Sequence, residues 1–295
     1  MRFIISTRRA SCDGDGGKTF SARSAFTLIE LLVVVAVIAI IAAILLPVLN
    51  RAQESGRNIT CLNNLRQLEI CWHLYLEDNN DVLVPNNSVA LVSATTNVSV
   101  GSISTQISWL PDVDATEEVN PSNIINGLLF PYNSQLGIYH CPSDTSTLET
   151  SDGDPLPQLR WRSYNMSQSV NGYPTFSWEL SDFIPMWDKL SEIRHPDPSS
   201  VFVFIDENSD GILDAEFGNP PAASPYFEQD VWWDLPSSRH FRGGNLSFAD
   251  GHVEHWKWVV PKVWTDYVQP VAPGEMPDYL RVQSAMDQVL PIFNF

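Results

Sequence analysis

Basic residues are scarce in this chain: 17 Lys and Arg stand against 35 Asp and Glu, for a formal net charge of -18. Nucleic acid is therefore not expected as a partner, because a phosphate-binding surface needs clustered cations. Cysteine is scarce too. The four present, Cys12, Cys61, Cys71 and Cys141, show no C-x2-C spacing, so a zinc ribbon or thioredoxin-type motif has no support. No H-E-x-x-H or G-x-S-x-G string occurs, which leaves hydrolase chemistry without a motif, and there is no internal repeat. What is abundant excludes wholesale disorder: 44% of residues are hydrophobic and ten are Trp. A length of 295 residues holds one large domain or two small ones.

The few cations are unevenly placed. Residues 1–25 carry Arg2, Arg8, Arg9, Lys18 and Arg23 against Asp13 and Asp15, a net of +3 that leaves -21 for the remainder. A basic head, an apolar run and an acidic body form a membrane-targeting layout. The run from Phe26 to Leu49, FTLIELLVVVAVIAIIAAILLPVL, has 24 residues and one charge, Glu30. As a helix it spans roughly 36 Å, enough to cross a bilayer's hydrocarbon. An ordinary secretory signal has a shorter apolar core, about 7–15 residues, with no acid in it. A plain anchor fits the length but leaves Glu30 unexplained, since a lone carboxylate in the membrane costs about 3 kcal/mol and marks function.

The string SAFTLIELLVVVAVIAIIAAILLPVL resembles the signal of type IV pilins and type II secretion pseudopilins. That resemblance implies a cut by prepilin peptidase between Ala25 and Phe26, with methylation of the new Phe26 amine. Ala25 departs from the family's usual Gly at this place. The resemblance also implies that Glu30 pairs with a Phe26 amine during assembly, and a buried carboxylate does need a cation. Pro47 matches a helix-loosening proline of these spines and is tolerated in a membrane helix.

Residues 50–80 continue as an amphipathic helix, with Cys61, Leu65, Leu68, Trp72 and Tyr75 at spacings of three and four beside Leu62 and Leu76. Asp78 to Asp81 and Pro85 end it. Cys61 and Cys71 then lie about 15 Å apart along one helix, too far for a bridge. Outside the cytoplasm Cys61 with Cys141 is the disulfide to test, against buried free thiols. Residues 86–108 read as an exposed hairpin or variable loop, 151–158 as a surface loop and 172–199 as irregular. Val201 to Ile205 reads as a fully buried strand. Asp250-Gly251 is a hairpin turn, and a short helix falls near 278–289.

The strings CLNNLRQLEICWHLYLEDNN, HCPSD, SYNMS, FIDE and SRHFRGGNLSFADGHVEHWKW resemble the pilin-like branch carrying an H-x9-DG motif, here His240, Asp250 and Gly251. The expected fold is α+β and pilin-like: a long amino-terminal helix, half membrane and half amphipathic, on an antiparallel sheet with irregular insertions. The expected organisation is a cleaved cytoplasmic leader over 1–25, a transmembrane and assembly helix over 26–49, its amphipathic continuation over 50–80, and an extracytoplasmic domain over 81–295. The chain would be single-pass in the inner membrane, amino terminus in the cytoplasm and body in the periplasm or at the cell surface. It would be a structural subunit rather than an enzyme, with prepilin peptidase and other pilin or pseudopilin subunits as partners.

Three groups could carry chemistry of their own. Asp206, Asn208, Asp210 and Gly211 match the first half of an EF-hand calcium loop, with Ile212 offering a carbonyl and Asp214 in the ninth place. The twelfth place is Phe217, so the bidentate anchor is missing; a solvated acidic turn is the other reading. His240, Asp250 and His252 could hold a transition metal, or His240 and Asp250 could lock the hairpin by a hydrogen bond. Trp232, Trp233, Trp256, Trp258 and Trp264 could stack on sugars or pack a core. On these groups rests the rival function, a membrane-tethered metal-dependent enzyme or glycan-binding module exported on the same signal.

Overall fold

The computed structural model describes residues 27–86, 88–92, 99–104, 107–111, 120–150, 153–172, 186–220 and 230–287. The chain divides into two compact units, Met1–Leu49 and Asn50–Phe295. Helix α1 runs from Leu28 to Asp78 with Pro47 inside it. Up to Leu49 its apolar side chains are exposed, Leu32, Ile38 and Leu45 among them. This stretch is long and apolar enough to cross a membrane. The helix stops where Asn80 and Asp81 take positive φ, 56° and 69°. Short polar side chains such as these tolerate the left-handed conformation that ends helices.

In the second unit α1 buries Cys61, Leu65, Leu68, Trp72 and Leu76, the stripe expected from spacing. It adds Asn64, Glu69 and Cys71, while Tyr75 is only partly buried. The stripe packs with Tyr164, Met166, Val203 and Phe204 of a five-stranded sheet. Its strands are β5 (Tyr164–Ser167), β6 (Phe202–Asp206), β7 (Glu216–Phe217), β9 (Gly243–Phe248) and β10 (Val253–Lys257), in the order β10-β9-β6-β5-β7. Outside it lie three two-stranded ladders. They pair β1 (Ser88–Val92) with β2 (Ser99–Ser104), β3 (Thr147–Glu149) with β4 (Pro155–Leu159), and β8 (Val231–Trp232) with β11 (Gln269–Pro270).

This is the α+β, pilin-like arrangement expected, with one difference. The sheet is mixed, because β7 joins β5 in parallel while the other pairs are antiparallel. β6 is buried along its whole length, as its apolar run demands. It can be, because the second face of the sheet is covered as well. There Phe202, Ile205, Leu246, Phe248, Trp256 and Trp258 pack with Tyr279 and Val282 of the helix Met276–Ser284. Of the hairpin and the variable loop considered for 86–108, the hairpin forms, with β1 paired antiparallel to β2. The loop expected over 151–158 instead carries β4, held by pairing to β3 that local composition does not reveal.

An ionisable group sits inside the first core. Glu69 is buried, and its Oε2 accepts a hydrogen bond of 2.6 Å from the Ser247 hydroxyl of β9. Burial raises its pKa well above 4.5, against the pull of Ser247. The folded state therefore holds this proton more tightly than the unfolded chain does. Stability is full below about pH 4.5 and falls as pH rises towards the folded value. Glu69→Gln removes the ionisation and keeps an oxygen for Ser247. It is expected to stabilise the detergent-solubilised chain by about 1–2 kcal/mol at pH 7, where the unfolded parent gains by releasing the proton. Its melting temperature should converge with that of the parent at pH 4; parallel profiles would refute the account.

Candidate functional site

The amino-terminal end of α1 is organised by Thr27 and Glu30. Glu30 Oε2 accepts from the Thr27 amide at 2.8 Å and from its hydroxyl at 2.9 Å. The Glu30 amide donates back to Thr27 Oγ1 at 3.2 Å. This is the reciprocal T-x-x-E capping box, which satisfies otherwise orphaned donors at a helix start. The spacing was readable in the sequence. Ala25 and Phe26 lie outside the described residues.

The H-x9-DG spacing has a structural meaning: it is the length of one strand. His240 precedes β9 and Asp250-Gly251 follow it, Gly251 supplying φ 93° at the turn. Six strand residues separate them, roughly 20 Å of rise. His240, Asp250 and His252 therefore do not converge, and no His240–Asp250 bond locks the hairpin. Asp250 instead bonds His252, through both its backbone amide and its ring, on the protein surface.

The calcium-type loop is divided in a similar way. Asp206 is fully buried and turned toward Ser237 and Arg239. Asn208 accepts from the Asp210 amide, and Asp214 from the Glu216 amide. Ile212 is buried. These oxygens cap local turns or face the interior, and they do not surround one point. Of the tryptophans, Trp232, Trp233, Trp256 and Trp258 are buried and Trp264 is partly so, which is core packing.

A different constellation forms within the second unit. Cys61 of α1, Cys141 after the 3-10 turn Leu136–Tyr139, Asp206 at the end of β6, and His240 are brought together, all four buried. Their ligand-type atoms lie within 4.8 Å of one another. Cys141 Sγ is 3.1 Å from His240 Nε2, and Asp206 Oδ2 is 3.9 Å from that same nitrogen. Cys61 and Cys141, for which a disulfide and buried free thiols were both open, lie together here as free thiols.

Each of the four is held by others. His240 Nδ1 is 2.8 Å from Glu54 Oε1, and Glu54 accepts from the Ser143 hydroxyl. The Tyr164 hydroxyl donates to Cys61 Sγ at 3.2 Å. Ser237 donates to Asp206 Oδ2 at 2.7 Å, and Arg239 bridges Asp206 and Asp144. Ser163 accepts from the Cys141 amide and donates to Asp144. His240 reaches inward because His240, Phe241 and Arg242 all take positive φ, 47°, 63° and 69°. Three such non-glycine residues in succession are strained, and strain of this kind persists only where surroundings enforce it. The separate strings CLNN, HCPSD, SYNMS, FIDE and SRH thus meet at one interior point.

The electrostatics decide what this point can do. The Cys141 thiol is pushed far up, first by its hydrogen bond with Cys61 and then by burial. Burial opposes the imidazolium of His240, but Cys141, Asp206 and Glu54 outweigh it and raise its pKa. Burial raises Asp206 against the pull of Arg239 and Ser237. Cys141, His240 and Glu54 have the order of a nucleophile, base and orienting acid. Cys141 is wholly buried, however, and a buried thiol of this kind is removed from solvent.

Residues 20–46 fit the family model described as the prokaryotic N-terminal methylation motif. No curated protein and no solved structure matches the chain. The motif implies processing by prepilin peptidase, and with the apolar helix it is consistent with a single-pass membrane anchor and an extracytoplasmic domain.

Proposed function

We propose that this chain is a structural, pilin-like subunit of a type II secretion or type IV pilus-like envelope filament, of the H-x9-DG branch and not an enzyme. The observation that carries the reading is the coincidence of the methylation motif over 20–46 with the exposed apolar stretch of α1. Apolar residues all round one helix need lipid or other helices against them. Prepilin peptidase removes residues 1–25 and methylates Phe26. The chain then stands in the inner membrane with its acidic body in the periplasm or at the cell surface. Subunits join through their apolar helices, and Glu30 exchanges its Thr27 contacts for the Phe26 amine of a neighbour, a charge pair shielded from water.

Two measurements test this. Mass spectrometry of the mature chain should find methylated Phe26 at its amino terminus; an intact leader would refute the processing step. Glu30→Leu should insert in the membrane as well as the parent yet lose most of its incorporation into filaments, and undiminished incorporation would remove the role of Glu30. Against the metal-dependent rival, His240 lies before β9 and Asp250 and His252 lie after it, which supports the structural reading.

A further inference from the structure

We propose that Cys61, Cys141, Asp206 and His240 form a structural site for one divalent transition metal of borderline softness, zinc by preference. Two sulfurs, an imidazole nitrogen and a carboxylate oxygen make a complete tetrahedral set for that ion. At zinc–ligand bond lengths, tetrahedral neighbours lie about 3.3–3.8 Å apart. The 3.1 Å between Cys141 Sγ and His240 Nε2 and the 3.9 Å between His240 Nε2 and Asp206 Oδ2 bracket that range. All four ligand atoms lie within 4.8 Å of one another, so ligation asks for adjustment of side chains already gathered rather than for a rearrangement of the fold.

The surroundings fit the ion as well as the ligands do. His240 turns Nε2 to the cluster while Nδ1 meets Glu54, the carboxylate–histidine arrangement that orients metal-bound imidazoles. Asp206 is fixed by Ser237 and Arg239, and Cys61 by Tyr164, so three of the four ligands have polar supports. Charge is met as well: both thiols and any imidazolium surrender protons as the dication enters, and the -1 left on two thiolates, a carboxylate and the dication faces the Arg239 guanidinium on Asp206. All four positions are protein-filled and buried, which marks a closed site that ties α1 to the sheet and its loops rather than one that activates water. Such a tie would also account for the strained backbone at His240, and it would stop two neighbouring sulfurs from oxidising outside the cytoplasm.

The test uses the full chain in detergent, purified without chelator. Plasma mass spectrometry should find about one zinc per chain. After chelation, added Co2+ should give thiolate-to-cobalt charge-transfer bands of a tetrahedral site. Cys61→Ser and Cys141→Ser should each abolish those bands, whereas Cys71→Ser, a buried thiol outside the group, should keep them. Should the serine variants fail to fold, Glu54→Gln decides: its side chain is partly exposed, and it should weaken Co2+ binding by about 10–100-fold without removing a ligand. A parent free of zinc and without the cobalt bands, a Cys61–Cys141 disulfide in the isolated chain, zinc retained by both serine variants, or a Glu54→Gln variant binding Co2+ as tightly as the parent would each overturn the site. None of these readouts depends on filament assembly, so this proposal and the subunit role fail separately.

Discussion

Arg239→Met should destabilise the folded chain by about 3–5 kcal/mol, the usual cost of removing one partner from a buried charge pair. Arg239 Nη2 lies 2.9 Å from Asp144 Oδ2, while Nη1 reaches the Asp206 carboxylate and the Glu207 carbonyl. Both acids are nearly inaccessible to water. Burial opposes the ionised form of Asp144, but Arg239, Ser163 and Ser146 overcome it and hold the pKa low. Without the guanidinium, the buried Asp144 and Asp206 carboxylates keep their serine donors but must be protonated or left without a counter-charge. Arg239→Lys should fall between variant and parent, since an ammonium keeps the charge but lacks the fork that serves three acceptors. The check is denaturant unfolding of the full chain in detergent, with Arg66→Met on the exposed side of α1 as control. A surface change of that kind moves stability by about 0.5 kcal/mol or less. If both arginine variants unfold together, Arg239 is not the keystone of this region.

Much of this fold was legible because it is local. The apolar run, the three-four stripe from Cys61 to Leu76, the apolar stretch Val201 to Ile205 at β6 and the Asp250-Gly251 turn are each written within a few residues. The mixed sheet was not, because two-residue β7 carries no periodicity and sits beside β5 only through tertiary pairing. The interior cluster was hidden for a related reason. Cys141 and His240 are 99 residues apart and Glu54 and His240 are 186 apart, so no spacing announces them. The metal spacing suggested by His240, Asp250 and His252 is defeated by the strand between them. The calcium match was defeated by the direction of one side chain, since Asp206 points inward to Arg239 rather than outward around a loop. Sequence identified Cys61, Cys141, Asp206 and His240 one by one, for other reasons. Only the fold put them in one place.

Buried charges were the other blind spot, because composition treats an ionic side chain as surface. Lys262 shows the consequence. Its ammonium is buried, 2.7 Å from Asp278 Oδ2 and 3.3 Å from Glu275 Oε1. It also lies 5.8 Å from the ring centre of Trp232 and 5.5 Å from that of Trp258. Glu275 Oε2 accepts from the Ala272 amide, and Asp278 from the amides of Val259 and Val260, so the acids also organise backbone. Lys262→Met keeps the apolar stem against the tryptophans and deletes the charge together with the 3.0 Å hydrogen bond that Nζ donates to the Val260 carbonyl. It should cost about 3–5 kcal/mol, because Glu275 and Asp278 then face each other without a cation. If the loss arises from stranded carboxylates rather than from packing, neutralising them restores it. The triple variant Lys262→Met, Glu275→Gln, Asp278→Asn retains acceptor oxygens for all three backbone amides. It should recover most of the stability, as whole buried ion groups replaced by neutral ones of similar volume often do. Denaturant midpoints of parent, single and triple variants decide the matter. A triple variant no better than Lys262→Met would assign the role of Lys262 to its stem and its place over the rings, and the ionic account of this layer would fall.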